Sequence, residues 1–267
     1  MKSVALQMLL LGTYPQRALS FTRVLSNQQK RNNKSILKMG SWSETWKDIL
    51  EEGGSKRWKV DDIEAKQKAL ALIIDATSSD SKLRILCPLA GDDPFVHYAW
   101  SQGHDVTAID IVPEALKEMR CQFGENNQEE DWSSSPNNNG GIVWKHKSGR
   151  ATLYEGDMLM KRPELQNTFD VVYDKDSFGA LNLDMRKAYC QRLSEFVKSD
   201  GVVYVEVKNK DSGKEFGPPY HVEKDDLMEE TSFGGAFAYV KSLGEVYQLN
   251  MGSLKQMGHI LRRGLRK

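Results

Sequence analysis

Residues 82–113 read KLRILCPLAGDDPFVHYAWSQGHDVTAIDIVP, and this stretch decides the fold. An apolar run from Leu83 to Leu89 stops at Ala90-Gly91. A helical pattern follows from Asp93 to Gln102, and a second apolar run, Val106 to Val112, carries a single acid, Asp110. That order spells strand, glycine turn, helix and parallel strand. Gly91 lets the backbone approach a ligand at the carboxyl end of the first strand. Asp110 follows where a carboxylate can grip ribose hydroxyls. The unit predicts a nucleoside cofactor.

Which cofactor follows from what the turn lacks. A dinucleotide fingerprint needs G-x-G-x-x-G, because its second glycine admits the pyrophosphate and its third packs helix on strand. Here Gly91 is followed by Asp92, Asp93 and Pro94. Two carboxylates at a helix N-terminus repel a pyrophosphate but suit the positive amino group and sulfonium of S-adenosylmethionine. NAD(P) and FAD are the poorer match.

Outward from this unit the chain alternates in the same manner. Asp61 to Asp75 reads as a helix with Ile63, Leu70, Ile73 and Ile74 on one face, and Glu114 to Phe123 as a second crossover helix led by Pro113. Residues 124–141, rich in Glu, Ser and Asn, read as a mobile surface insertion that buries nothing. Thr152 to Met158 and Phe169 to Tyr173 read as the third and fourth strands, and Asp184 to Lys198 as an amphipathic helix. Gly201 to Val207 reads as a buried fifth strand. Ala236 to Lys241 and Glu245 to Asn250, joined through Ser242-Leu243-Gly244, read as a hairpin closing the sheet antiparallel. The basic tail from Lys255 to Lys267 has no readable role. The expected architecture is α/β: one Rossmann-like domain with a mostly parallel seven-stranded sheet and a C-terminal antiparallel hairpin.

Pro88-Leu89-Ala90-Gly91, the Gly103-His104 turn and Asp110 resemble the corresponding segment of the thiopurine S-methyltransferase family. So do Trp42 with Trp46, Leu153-Tyr154 with Gly156-Asp157, Phe169-Asp170 with Asp174, and Gly217-Pro218-Pro219-Tyr220. The resemblance spans roughly Trp42 to Met228. It implies a class I S-adenosylmethionine-dependent methyltransferase domain over residues 41–267. It also implies cofactor contacts from Leu89, Gly91, Asp110, Asp157, Met158 and Asp174, with Asp157 accepting from the adenine amine. By spacing alone Trp42 and Trp46 fit core packing on one helical face. The resemblance adds a role in an N-terminal lid over the cofactor, hinged at Gly53-Gly54, with Trp58 packing nearby. Ala90, Asp92 and Asp110 replace the family's usual cysteine, lysine and glutamate, and Lys175 stands where the thiopurine enzyme has an arginine.

That last departure bears on the methyl acceptor. Lys175, at the end of the fourth strand, is the expected cation for a thiolate or an acceptor's carboxylate. Lys208 is a second cation and Tyr220 an aromatic wall. A lysine's point charge suits a compact anion better than a flat heterocycle. The expected acceptor is a small thiol or thioether carrying a carboxylate, and the expected protein a monomer. A non-catalytic S-adenosylmethionine-binding module, a halide or arsenite methyltransferase and a nucleic-acid methyltransferase are the competing readings. Cys87, Cys121 and Cys190 are too few and too scattered for a disulfide framework or a zinc site, and no metal is expected.

The 267 residues carry zero formal charge, unevenly spread. Before Glu44 the chain has seven Lys and Arg and no acid, so the remainder is at about −7. Residues 1–40 read as a targeting leader for a plastid or mitochondrion, or as a disordered tail on a cytoplasmic protein. The net-negative body argues against nucleic acid as a partner. The absence of an 18-residue apolar run argues against a spanning helix.

Overall fold

The computed structural model describes residues 48–49, 51, 62–79, 81–124, 129–137, 141–211, 217–248 and 254–264. The leader at 1–40, the tryptophans Trp42, Trp46 and Trp58, and the glycine pair Gly53-Gly54 lie outside the described residues.

Strand β1 (Arg84–Pro88) is buried from Ile85 onward, as a strand flanked on both sides must be. It pairs in parallel with β2 (Asp105–Asp110), Ile85 opposite Val106, and with β6 (Phe169–Lys175), Ile85 opposite Val171. Helix α1 (Ile63–Thr77) starts at Asp62, whose side chain accepts from the Glu64 N–H at 2.9 Å, and ends at Ser78 in the left-handed region. Helix α2 (Pro94–Ser101) carries proline in its first turn. Its N-cap is Asp93, which accepts the Phe95 N–H at 2.8 Å. Helix α3 (Pro113–Cys121) leads on to the outer strands.

Beyond β2 come β5 (Ala151–Glu155), parallel, then β4 (Ile142–His146) and β3 (Trp132–Pro136), both antiparallel. Beyond β6 come β7 (Val197–Asn209), parallel, then β9 (Lys255–Arg263), antiparallel, and β8 (Phe237–Gln248). The order is β3-β4-β5-β2-β1-β6-β7-β9-β8. The chain thus builds outward from β1 on one side and then returns to build on the other. The reversal lies between β1 and β6, where a sheet of this kind opens a crevice at its carboxyl ends.

Side chains alternate across the sheet. Ile85, Cys87, Val106, Ala108, Val171, Tyr173, Val202 and Tyr204 form one core with apolar residues of α1, α2 and α3. Leu86, Ile109, Val172, Val203, Val205 and Leu261 form the other. The second core takes Phe178 from the short helix α4 (Ser177–Ala180) and Tyr189, Leu193 and Phe196 from α5 (Leu183–Phe196). The short helix α6 (Lys224–Met228) adds Leu227.

Two expectations need correction. The insertion at 124–141 is not a loop throughout, because Trp132–Pro136 pairs with β4 and raises the sheet to nine strands. Its serines face solvent while the backbone carries the pairing, and Trp132 is buried with its ring 5.1 Å from Phe123. Polar composition hides a strand whose stability comes from backbone bonds and one anchor. The C-terminal hairpin is also displaced. Ser242-Leu243-Gly244 lies inside β8, where Gly244 takes φ +69° at a shift of register, and the partner strand is the basic tail. A left-handed glycine serves a bulge as well as a turn.

Candidate active site

The site assembles at the carboxyl ends of β1, β2, β5, β6 and β7. Gly91, after β1, holds φ +55°, a conformation that costs a side-chain-bearing residue and glycine nothing. Its N–H donates to Asp110 Oδ2 at 2.7 Å, and the Val112 N–H donates to Oδ1 at 2.9 Å. Asp110 is therefore the clasp of the glycine turn, and each of its oxygens keeps a further lone pair. Burial pushes its carboxyl up, and the N–H groups of Val112, Gly91 and Ile111 pull it back. Leu89, also at positive φ (45°), packs against the second core.

At the end of β5, Gly156 takes φ +152° and Asp157 is partly buried, its Oδ1 accepting the Leu159 N–H at 2.7 Å. Arg162 lies underneath, wholly buried, and donates to the Asp157 carbonyl at 3.1 Å. Met158 is fully buried in the second core.

The structure separates two neighbours on β6. Asp174 faces the second core, 0% exposed. It accepts from the Tyr189 hydroxyl at 2.8 Å and from the Phe178 N–H at 3.1 Å, and burial raises its carboxyl to about 7. It holds the first turn of α4 on the side of the second core. Strand alternation sends Asp174 to one face of the sheet and Lys175 to the other.

Lys175 shares the face of Tyr173, whose ring stacks 3.8 Å from Phe95. Its ammonium is 3.8 Å from Asp93 Oδ2 and 4.0 Å from Asp176 Oδ2, so it ties the cap of α2 to the end of β6. Burial draws the lysine down. Asp93, Asp176, Glu206 and Asp92 outweigh it, and the group is held above its ordinary value and charged. Lys208, two residues beyond Glu206 on β7, places its ammonium 3.1 Å from the same Asp176 Oδ2 and donates to Gln256 Oε1. Gln256, fully buried on β9, donates to Asp176 Oδ1 at 3.0 Å and Glu206 Oε2 at 3.1 Å. Glu206 also accepts from Tyr204 at 2.8 Å and Tyr247 at 3.0 Å. Burial raises its carboxyl against the pull of Lys175.

Lys175 and Lys208 are thus brought together, and the Tyr220 loop is tied to Lys208 through the Val222 N–H, which donates to the Lys208 carbonyl at 3.0 Å. The Tyr220 N–H donates to the Gly179 carbonyl at 2.7 Å and its hydroxyl to Asn182 Oδ1 at 3.0 Å. Its ring therefore lies beyond α4, on the side of the second core. There the Arg186 guanidinium sits 4.3 Å from the Phe178 ring and 5.8 Å from the Tyr220 ring.

The sequence places Asp93 at the cofactor turn and Asp176 and Glu206 at strand ends beside the crevice, but gives no sign of Gln256, Tyr247 or Arg186 there. The acids were legible because they stand at a helix start or a strand end. Gln256 and Tyr247 could not be found without the β8-β9 pairing. Cys87 and Cys190 are buried, and burial raises both thiols. Among the described residues no group of three or more His, Cys, Asp or Glu could hold a metal ion.

Comparison with known proteins bears on this geometry. The family model for thiopurine S-methyltransferase matches residues 37–253. A probable thiopurine S-methyltransferase of Danio rerio is 23% identical over 155 residues, 58% of this chain and 65% of that protein. The thiopurine S-methyltransferase of Psychrobacter cryohalolentis is 24% identical over 179 residues, 65% of this chain and 80% of that protein. Among solved structures, a Burkholderia thailandensis 1,6-didemethyltoxoflavin-N1-methyltransferase superposes with TM-score 0.57 at 16% identity, covering 96% of this chain and 94% of its own. A TehB-like S-adenosylmethionine-dependent methyltransferase from Corynebacterium glutamicum gives 0.51 at 15%, covering 84% and 97%. At such identities these structures speak to the fold alone.

Proposed function

The chain belongs to the thiopurine S-methyltransferase family, and from that premise we propose that its methyl acceptor is a small thiol or thioether. It has the class I methyltransferase fold, and S-adenosylmethionine is its cofactor. The residues present fit that group. The Asp110 carboxylate clasps the glycine turn and retains lone pairs for ribose hydroxyls, and Asp157, at the end of β5, is the residue we assign to the adenine amine. Asp92 and Asp93 place negative charge beside the turn, which suits the ammonium and sulfonium of that group. When bound, S-adenosylmethionine supplies a methyl carbon activated by its sulfonium.

The chain's own contribution is placement, charge and exclusion of water. The observation that carries the thiol reading is the convergence of two buried ammoniums, Lys175 and Lys208, on Asp176 at the crevice. A thiol seated beside them loses its proton more readily, because neighbouring cations lower a thiol pKa from about 8.5 by roughly one unit or more. Asp93, Asp176 and Glu206 hold the ammoniums in place and temper that field. The sulfur is then presented as a thiolate or as a thioether lone pair. A compact soft nucleophile gains more from two point charges than a flat ring system does.

The test is turnover. Purified protein with S-adenosylmethionine is offered aliphatic thiols, aromatic thiols, thioethers, halides and DNA, and release of S-adenosylhomocysteine is followed. Small aliphatic thiols or thioethers are expected to give the highest kcat/KM. Preference for aromatic thiols, or methylation of halide or DNA alone, refutes the reading.

A further inference from the structure

Arg186 is a buried cation whose hydrogen bonding is incomplete. It lies on α5, 5% exposed, its guanidinium between the rings of Phe178 and Tyr220. Among the described residues neither Nε nor Nη2 has a hydrogen-bond partner. Burial draws the guanidinium down, and Asp226 and Glu229 oppose that only through space. Leaving charged donors buried and unpaired is costly, so such a group calls for an anion.

The identity of the two orphaned nitrogens sets the shape of that anion. Nε–H and one Nη2–H project from the same edge of the planar guanidinium, spaced to meet both oxygens of a carboxylate side-on. The surroundings give the address. Phe178 belongs to α4, the single turn that begins after Asp176, and the Tyr220 N–H is bonded to Gly179 of that turn. The Val222 N–H donates to the Lys208 carbonyl at 3.0 Å, which ties the Tyr220 loop to the strand bearing Lys208. Arg186 therefore packs against α4 and against the loop that bonds to Lys208.

We propose that Arg186 binds the carboxylate of the methyl acceptor through its Nε–Nη2 edge, while the acceptor's sulfur lies at Lys175 and Lys208. This rests on the small-thiol reading and divides the labour within it. Lys175 already faces two carboxylates, and Arg186 has an edge to offer.

The experiment uses a matched pair of acceptors, 3-mercaptopropionate and its methyl ester, with wild type, Arg186→Lys and Arg186→Met. Lysine keeps a charge against Phe178 but has no planar fork. KM for the acid is expected to rise about tenfold or more in both variants, the loss of a bidentate charge-assisted contact. KM for the ester and the affinity for S-adenosylmethionine should each stay within about twofold. Propionate should compete with the ester in wild type and fail to do so in the variants. Equal rises in KM for acid and ester, or no preference for the acid in wild type, overturn the proposal. Should neither thiol be turned over, the small-thiol reading fails, and calorimetric binding of propionate still decides for Arg186: present in wild type and lost in Arg186→Lys supports it, absent or unaltered refutes it. If Arg186→Met does not fold, Arg186→Lys carries the test.

Discussion

Replacing Asp174 by asparagine isolates one buried charge and gives a number to check. The carboxylate is 0% exposed, held by the Tyr189 hydroxyl and the Phe178 N–H, and raised from 3.8 to about 7, chiefly by burial. The folded protein thus binds this proton more tightly than the unfolded chain does. Wild-type stability falls as pH rises from about 4 to about 7, and the loss is complete above that window. At ~1.4 kcal/mol per unit the whole effect is about 4 kcal/mol, of which about 3 kcal/mol falls between pH 5 and pH 8. Asparagine keeps the shape, can accept from the Phe178 N–H and can donate to the tyrosine oxygen, and does not titrate. The stability of Asp174→Asn relative to wild type should therefore grow by about 3 kcal/mol between pH 5 and pH 8 and change little beyond. Urea unfolding followed by tryptophan fluorescence at unit pH intervals measures it, with equal m-values as the control for two-state behaviour. A difference that varies by less than about 1 kcal/mol across that range refutes the argument that burial dominates this group. The variant should also bind S-adenosylmethionine within about twofold of wild type, less than the loss of one hydrogen bond. A tenfold loss would place Asp174 among the cofactor contacts.

Asp110→Asn is expected to weaken S-adenosylmethionine binding by about 2 to 3 kcal/mol, because an amide cannot accept from both Gly91 and Val112 and still serve two ribose hydroxyls. Calorimetry on the pure protein checks this, and an unchanged affinity refutes the clasp. Lys175→Ala is expected to raise KM or lower kcat for the acceptor about tenfold while leaving cofactor affinity within about twofold. Lost cofactor binding with ordinary acceptor kinetics would instead place Lys175 on the cofactor side, beside Asp93.

What local pattern can encode was legible from the amino acids alone. The apolar runs around Gly91, the acid at Asp110 and the prolines opening α2 and α3 announced a parallel unit and the end of the sheet at which it binds a nucleoside. Every signal there is short-range: a positive φ, a cap, a period of two or of 3.6. That Lys175 ends a strand was legible for the same reason, since a strand end can be read by counting. Counting alone did not say that Asp174 and Lys175 take opposite faces with different partners.

Only the tertiary structure decided which strands pair. Trp132–Pro136 became a strand because β4 lay ready to accept its backbone, something its serines do not advertise. The tail Lys255–Arg263 is enclosed between β7 and β8, so its inner residues are buried on both faces and show no alternation to read. That pairing alone brings Gln256 and Tyr247 to Glu206 across some 40 to 50 positions of chain. Arg186 is likewise an ordinary polar residue of an amphipathic helix until Phe178 and Tyr220 close over it. Local preference is written residue by residue, whereas partners, register and burial depend on which distant segments meet, and the chemistry of this site depends on those meetings.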